Sequence, residues 1–337
     1  MKKYLITLLA LALLLTGCAG DAPAPDYGPA ESEKLVLCTS HKQEVWWPIV
    51  REFESRTGIW VEVIEGGTLE LLQQLEAGSL QADVVFGGGV ESLESYAHLF
   101  SPYVSRYSAD ILPQYQCEEG TWTPFSTLPV VLIYNPKLLP DGAVSGWQDL
   151  FAPDLRGKIA FADPSVSASS FTALATLLQA LGREEADAWL QSFAASLDGR
   201  QLDSSGDVLS AVTSGDCLVG ITIEETALRY IGAGEPLGMV YPADGTSCVP
   251  DGSAILAGAL HPENAQAFVD FTVSQDVQSL IQQQFFRRSV RRDLVLATDL
   301  PDISTLAQVD YDTHWANESR DKLLMSWQFY FGTEEMP

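Results

Sequence analysis

The sequence predicts an α/β fold built from two successive strand–helix units. In residues 35–89, short apolar strands alternate with amphipathic helices in the order strand, helix, strand, helix, strand. A second series of the same kind begins at Pro129. Such alternation favours parallel strand pairing with right-handed crossovers. The chain has 337 residues, of which 46% are hydrophobic, and this is enough apolar material for one large or two medium domains.

The elements of the first unit follow from the spacing of apolar residues and from the glycines that end them. Residues 41–58 place apolar side chains on one helical face, and the helix is predicted to stop at Gly58. Thr68 is predicted to cap the second helix. In chain order we predict a strand at 35–40, a helix at 41–58, a strand at 60–66, a helix at 68–79 and a strand at 82–89.

The second unit is longer and richer in helix. A strongly apolar helix follows the serine-rich loop after Asp163, and Pro262 lies near the first turn of a later helix, where proline is well tolerated. The predicted order is a strand at 129–139, a short helix at 145–151, a strand at 156–163, helices at 171–182 and 183–197, a helix–strand–helix series at 207–231, two strand-like runs at 239–259, one helix at 262–284 and a last helix at 315–332.

The predicted strands of the first unit end in small or polar residues. In open α/β sheets, ligands bind beyond the carboxyl ends of the strands. Backbone amides at the following helix starts face such a ligand and favour a negative charge. The strand ends therefore predict an anion-binding edge made by Thr39, Ser40, His41, Gly66, Gly67, Thr68, Gly87, Gly88 and Gly89.

The N-terminal segment predicts export. Lys2 and Lys3 precede a short apolar run, which is too short to span a bilayer and is typical of a secretory signal. The exit sequence at 15–18 resembles the lipobox of bacterial lipoproteins, which implies cleavage after residue 17 and acylation of Cys18. An ordinary signal peptide with a chance cysteine is the alternative. Residues 18–33, with three prolines and no apolar period, predict a flexible linker.

Composition limits the partners. The formal charge of −26 disfavours binding to nucleic acid or to anionic lipid headgroups, so contact with a membrane is expected through the lipid anchor only. The four cysteines of the body have no zinc-site spacing, and either disulfides or free thiols are possible in an exported chain. They are Cys38, Cys117, Cys217 and Cys248. We predict a monomer without a cofactor.

Three polar stretches of the second unit are candidates for ligand contact, and each has a structural alternative. The serines at 165–170 precede a helix, so they can surround an oxyanion or simply cap that helix. The turn at 244–247 offers hydroxyls or is only a tight turn. Glu224 and Glu225 follow a strand end, where they can bind an amine or hydroxyl or stay solvated at a helix start.

Several fragments, in this order and spacing, resemble the substrate-binding lipoproteins of bacterial ABC importers, in the group with ferric-ion, phosphonate and sugar-phosphate binders. The resemblance implies two lobes of type 2 periplasmic-binding-protein fold, each with a mixed, mostly parallel sheet, closing on one solute that is then delivered to a permease. The fragments are SHKQE at 40–44, RTGIWVEVIEGG at 56–67, ADVVFGGG at 82–89, VLIYNPKLL at 131–139, WQDLFAPDLRGKIAFADPS at 147–165 and GSAILAGALHPENAQAFVDFTVSQDVQ at 252–278.

The resemblance also implies boundaries. Chain crossings between the lobes are expected at 127–130 and at 241–250. The first lobe is expected at 34–127 and about 250–285, the second lobe at 128–249, and a C-terminal helical segment packed on the lobes at 286–337.

The solute is predicted to carry a phosphate, phosphonate or carboxylate group. Ferric-ion members of the group typically use adjacent tyrosines in the second lobe, whereas the corresponding stretch here contains Ile223, Glu224 and Glu225. His41 matches a family histidine, and with Glu224 it would ligate a metal only if the alternative of a ferric-ion-binding protein holds. The predicted ligand-binding residues are Thr39, Ser40, His41, Gly67, Thr68, Gly88, Gly89, Thr127, Ser165, Ser167, Ser169, Ser170, Glu224, Thr246 and Ser247.

No enzyme motif is present. The sequence contains neither H-E-x-x-H, nor G-x-S-x-G, nor a phosphate-binding G-x-x-x-x-G-K-[ST] loop. A lipid-anchored hydrolase is a distant alternative. The arginine-rich stretch at 285–293 is predicted to pair with the protein's own carboxylates, with transporter docking as the alternative, and His98, His261 and His314 are predicted on the surface.

Overall fold

The computed structural model describes residues 28–295 and 300–331. The signal predicted at 1–17, the lipid-bearing Cys18 and most of the predicted linker lie outside the described residues. Within the described ranges, no helix is long and apolar enough to cross a membrane.

The strands of the described residues form one mixed, curled sheet. They are β1 Lys34–Thr39, β2 Trp60–Glu65, β3 Val84–Gly89, β4 Thr123–Tyr134, β5 Ile159–Ala160, β6 Val219–Ile223, β7 Gly238–Val240, β8 Cys248–Ile255 and β9 Arg288–Ser289. The main order across the sheet is β2-β1-β3-β8-β4-β6-β5, and β7 and β9 pair with β4 beside this path.

Strand β4 belongs to both halves of the sheet. Its residues 123–129 pair with β8, and its residues 130–134 pair with β6. Strand β8 in turn pairs with β3. We call the half that contains β1, β2, β3 and β8 the first lobe, and the half that contains β5, β6 and β7 the second lobe, each with the helices packed on it. The α/β fold with a mixed sheet is confirmed.

Parallel pairing makes up less of the sheet than we predicted. It joins β1 to β2 and to β3, and β5 to β6. The ladders between β3 and β8 and between β4 and its neighbours β6, β7, β8 and β9 are antiparallel. The expectation of mostly parallel pairing holds for the first lobe, where β1 pairs in parallel with both neighbours, and is corrected for the second, where β4 pairs antiparallel with β6 and β7.

Helices cover both faces of the sheet, and most lie where the apolar period predicts them. They are α1 Gln43–Thr57, α2 Thr68–Glu76, α3 Val90–Ser95, α4 Ala168–Leu181, α5 Ala186–Leu197, α6 Ser205–Ser214, α7 Glu224–Gly232, α8 Pro262–Thr272, α9 Gln275–Phe285 and α10 Thr313–Tyr330; the predicted short helix at 145–151 is a 3₁₀ helix, Trp147–Phe151.

Two helix predictions are corrected. Gly67 occupies the N-cap position of α2, so Thr68 is its first helical residue and not its cap. The single helix predicted at 262–284 is divided into α8 and α9. Its break lies at Val273 and Ser274, where the Ser274 hydroxyl donates to the Phe271 carbonyl over 2.7 Å and competes with the helical backbone bonds. The predicted stop at Gly58 is confirmed, since this glycine has a φ of 75° and accommodates the left-handed turn.

Each lobe has its own apolar core. The first-lobe core contains Phe53, Phe86 and Phe268, which meet edge to face. The second-lobe core surrounds Phe161 and includes Trp327 of α10, which is fully buried there. Each lobe is therefore held together by its own core, and the strand ends of each lobe are fixed by that core.

The arginine-rich stretch forms internal ion pairs, as predicted. Arg287 pairs with Asp251 and Arg288 pairs with Glu224, while Arg291 pairs with acidic groups nearer the surface. The prediction of a surface His261 is wrong, because this side chain is buried and its Nδ1 lies 2.8 Å from Asp83.

The cysteines of the body are free thiols. No disulfide joins Cys38, Cys117, Cys217 or Cys248 in the described part of the chain. Burial raises the pKa of the Cys38 thiol to about 11, so this thiol stays protonated and behaves as a small apolar side chain.

Candidate functional site

A cavity of about 170 Å³ lies between the two lobes, next to the connecting strands. Ser40, His41, Gly88, Gly89, Asp251 and Arg287 line its first-lobe side. Ala168, Ser169, Thr172 and Ile223 line its second-lobe side, Val249 and Pro250 of β8 also belong to the first-lobe side, and Leu128 lies in the shared strand β4. Polar groups from segments far apart in the chain thus converge on one small space, which is typical of a ligand site.

Five of the residues predicted from the sequence line this cavity. They are Ser40, His41, Gly88, Gly89 and Ser169. The loop after β3 needs glycine, because Gly88 has a φ of 95° and a Cβ atom there would lie 2.5 Å from the Thr68 methyl group. The roles of these five residues in binding remain predictions.

The other predicted residues do not line the cavity, and several are engaged elsewhere. Thr39 donates to the Phe86 carbonyl, Ser167 caps α4 by accepting from the Ser170 amide, and Thr246 donates to the Val130 carbonyl. Ser247 shares a hydrogen bond with Thr176, and Glu224 is paired with Arg288. Gly67, Thr68, Thr127, Ser165 and Ser170 also lie outside the lining.

Two charged residues of the lining are not among those predicted from the sequence. Asp251 lies in β8 and Arg287 directly precedes β9. The Arg287 Nη1 group donates to Asp251 Oδ2 over 2.6 Å and to the Ser126 hydroxyl over 2.9 Å. The sequence signal was the arginine-rich stretch, which indicated ion pairing but gave no sign that one pair would border a ligand cavity.

The Arg287–Asp251 pair is buried and firmly held. Both residues are less than a tenth exposed, and Asp251 also accepts from the backbone amide and the hydroxyl of Ser126, over 2.9 and 2.7 Å. Burial lowers the pKa of the Arg287 guanidinium, but the charges of Asp251 and Glu225 outweigh this and raise it above its ordinary value. The cavity therefore has a permanent positive charge in its wall, compensated by a neighbouring carboxylate.

His41 provides a neutral imidazole beside that ion pair. Its ring packs edge to face on Phe86 with centroids 4.5 Å apart, and its Nε2 atom lies 3.7 Å from Asp251 Oδ2. Burial, and then the positive charge of Arg287, lower the pKa of His41 to about 3 against the opposing effect of Asp251. The imidazole is consequently uncharged at neutral pH.

Two buried nitrogens at the cavity have no hydrogen-bond partner among the described residues. They are Nε2 of His41 and Nε of Arg287. An unpaired buried polar atom costs roughly 1–3 kcal/mol, so a hydrogen bond from either nitrogen to a bound solute would offset that cost.

The second lobe contributes a helix N-terminus. Helix α4 begins at Ala168, with Ser167 as its cap, and its first-turn residues Ala168 and Ser169 line the cavity. The partial positive charge at a helix start attracts an anionic group. Both walls of the cavity therefore offer hydrogen-bond donors.

The lobes also contact each other directly around the cavity. The Thr172 hydroxyl of α4 donates to Glu91 of α3 over 2.9 Å, and Arg229 of α7 forms an ion pair with Glu44 of α1 over 2.7 Å. These two contacts join the lobes directly.

No group of three or more histidine, cysteine, aspartate or glutamate side chains within the described residues is arranged to hold a metal ion. His41 and Asp251 approach each other, but Arg287 adds a positive charge next to them.

Two α/β lobes that meet at a cavity lined by residues of both are typical of type 2 periplasmic solute-binding proteins. The chain belongs to the family of bacterial extracellular solute-binding proteins, whose model matches residues 35–287. The resemblance to the solute-binding proteins of ABC importers is therefore confirmed, and the protein acts outside the cytoplasm.

The names of individual relatives refer to different solutes. The chain is 24% identical to iron uptake protein A1 of Synechocystis sp. over 84% of this chain and 83% of that one. It is 23% identical to a putative 2-aminoethylphosphonate-binding periplasmic protein of Salmonella typhimurium, over 79% and 82% of the two chains. Its fold is shared with the periplasmic binding protein AfuA of Actinobacillus pleuropneumoniae, bound to fructose-6-phosphate, with a TM-score of 0.81, 24% identity and coverage of 89% and 99%.

Proposed function

We propose that the protein binds a small solute bearing a phosphate, phosphonate or carboxylate group between its lobes and delivers it, chemically unchanged, to the permease of an ABC importer. The observation that carries this proposal is the pair of partnerless buried nitrogens, Arg287 Nε and His41 Nε2, in the wall of one inter-lobe cavity.

An oxyanion can accept a hydrogen bond from Arg287 Nε and, in the tautomer protonated at Nε2, one from His41. Arg287 would donate from one wall and the first turn of α4 from the other, so that one anionic group contacts both lobes. A solute that contacts both lobes stabilises the closed arrangement over the open one. The names of the phosphonate- and sugar-phosphate-binding relatives support the same solute class.

Ferric ion is the competing cargo, and the name of the Synechocystis relative supports it. A trivalent cation would have to bind beside the Arg287 guanidinium and would repel it. His41 and Asp251 are the cavity-lining residues of metal-ligating type on the first-lobe side, and Glu224 is engaged by Arg288. Asp251 compensates the charge of Arg287, so the features that favour the oxyanion are the unpaired Arg287 Nε donor and the first turn of α4 rather than the net charge.

The N-terminal pattern supports attachment to the outer face of the membrane by acyl chains on Cys18, with residues 18–33 as a spacer. The anchor would leave the lobes as a monomeric, water-exposed receptor next to the permease. Mass spectrometry of the mature N-terminal peptide tests this, since a diacylglyceryl-modified Cys18 supports the anchor and an unmodified peptide beginning elsewhere refutes it.

Calorimetric titration with inorganic phosphate, fructose-6-phosphate, 2-aminoethylphosphonate and ferric citrate tests the solute class. We expect at least one of the phosphorus-containing probes to bind the wild-type protein, and Arg287→Gln to abolish that binding. Arg156→Gln is the control, because Arg156 is largely exposed and pairs with Asp198 on the surface. Binding of ferric citrate alone, or equal binding by both variants, contradicts the proposal. Recovery of the probe unaltered separates binding from catalysis.

A further inference from the structure

Glu91 of α3 connects three parts of the molecule. Its Oε1 atom accepts a hydrogen bond from the Thr172 hydroxyl of the second lobe over 2.9 Å and one from the Tyr311 hydroxyl over 2.8 Å. Tyr311 lies in residues 308–331, which follow the two lobes in sequence and which we call the C-terminal strap. Glu91 itself is only 2% exposed. One carboxylate thus holds the first lobe, the second lobe and the strap together.

The strap is anchored in the second lobe. Trp327 is fully buried in the second-lobe core, and its indole N–H donates to Gln201 over 2.7 Å. Near the start of the strap, the Asp312 amide donates to the Gln179 side chain of α4 over 2.7 Å. The Tyr311 ring packs against apolar residues of both lobes, and its hydroxyl bonds Glu91 of the first lobe.

Glu91 lies directly behind the cavity wall. A Cβ atom on Gly89 would lie 2.6 Å from Glu91 Oε2, and both Gly89 and Thr172 line the cavity. The Arg320 guanidinium of the strap lies 4.1 Å above the Phe171 ring. It is close enough to Glu91 for the two charges to interact. Any separation of the lobes would lengthen the bond between Thr172 and Glu91 and move both cavity walls apart.

We propose that Glu91 is a positioning residue for solute binding, which keeps Gly89 and Thr172 at the closed spacing and which is itself fixed by Tyr311 of the C-terminal strap. This inference rests on the proposed function, because it states that the strap raises the affinity for a solute bound in the inter-lobe cavity. The strap would then contribute to binding without touching the solute.

Two tyrosines of the strap provide a matched comparison. Tyr311 donates to Glu91 of the first lobe, whereas Tyr330 donates over 3.0 Å to Asp187 of α5 in the second lobe. Each substitution to phenylalanine removes one hydroxyl bonded to a carboxylate. Only Tyr311→Phe removes a bond between the strap and the other lobe.

The test is a titration of wild type, Tyr311→Phe, Tyr330→Phe, Glu91→Gln and the Glu91→Gln/Tyr311→Phe double variant with inorganic phosphate and fructose-6-phosphate. We expect Tyr311→Phe to raise the dissociation constant by about 3- to 10-fold, the effect of losing one hydrogen bond of ordinary net strength, and Tyr330→Phe to leave it unchanged. In the Glu91→Gln background, Tyr311→Phe should cause a smaller loss. Equal affinities for the two phenylalanine variants would overturn the inference.

Small-angle scattering of the solute-free proteins separates this inference from the proposed function. If the wild type binds neither probe, that solute assignment fails, but the scattering comparison still decides the role of Glu91. We expect a larger radius of gyration for Tyr311→Phe than for wild type and Tyr330→Phe. Identical radii for all three proteins would refute the inference even where a probe binds.

Discussion

The buried, neutral His41 makes the folded protein less stable in acid, and this effect has a calculable size. The pKa of His41 is about 3 in the folded protein, because of burial and Arg287, whereas an unfolded histidine titrates near 6.5. Between these two values the unfolded chain binds more protons than the folded one. The contribution of His41 to stability is therefore fully present above pH 6.5 and is lost progressively as the pH falls from 6.5 towards 3.

At pH 5 this loss amounts to about 2 kcal/mol relative to pH 8, from the two pKa values and the linkage relation. That is a measurable part of a total stability of roughly 5–15 kcal/mol. The perturbation is His41→Gln, which removes the titrating ring. Urea unfolding, followed by tryptophan fluorescence at pH 8 and at pH 5, gives the free energies of unfolding for wild type and variant.

We expect the decrease in free energy of unfolding from pH 8 to pH 5 to be about 2 kcal/mol smaller in His41→Gln than in wild type. Subtracting the two proteins removes the titration of all other groups. His98→Gln is the control for loss of a histidine, because the His98 side chain is 60% exposed, and it should keep the wild-type pH difference. An equal pH difference in His41→Gln and wild type would refute the assignment of a buried neutral imidazole beside Arg287.

The remaining predictions concern the surroundings of the cavity and the strap. Gly88→Ala should lower the free energy of unfolding by roughly 1–3 kcal/mol in urea, because φ is 95° and the new methyl group meets Thr68; an unchanged midpoint would contradict the close approach. Burial, with a smaller effect of Glu91, raises the pKa of Glu94 to about 7, so Glu94→Gln should stabilise the protein more at pH 8 than at pH 5; the reverse order in thermal melts would contradict this. Trp327→Ala should lower the free energy of unfolding by about 3–5 kcal/mol, because the ring is fully buried in the second-lobe core; a loss below 1 kcal/mol would show that α10 does not stabilise that core.

Local sequence patterns predicted most of the fold. The apolar period located α1, and Gly58 marked its end because only a residue tolerant of positive φ stops a helix in this way. The apolar pattern at 262–284 predicts one helix, because a side-chain hydroxyl that bonds the backbone at Ser274 does not change the spacing of the apolar residues. The share of antiparallel pairing was likewise underestimated, because pairing direction depends on where β4 and β8 lie in the sheet.

The sequence predicts only some of the residues that line the candidate site. Residues next to strand ends, such as Ser40, His41 and Gly88, follow from the general position of ligands in α/β sheets. Arg287 and Asp251 do not, because their role depends on a contact between segments 36 residues apart in the chain. Among the serines at 165–170, Ser167 caps the helix, which is the structural alternative given for this stretch.

The most direct test of the proposed oxyanion site is native mass spectrometry of the protein purified without unfolding, followed by identification of whatever small molecule is released on denaturation. We predict a single bound solute that carries a phosphate, phosphonate or carboxylate group in the wild type, and its absence from Arg287→Gln. A bound ferric ion, or a solute without an acidic group that persists in Arg287→Gln, would contradict the account.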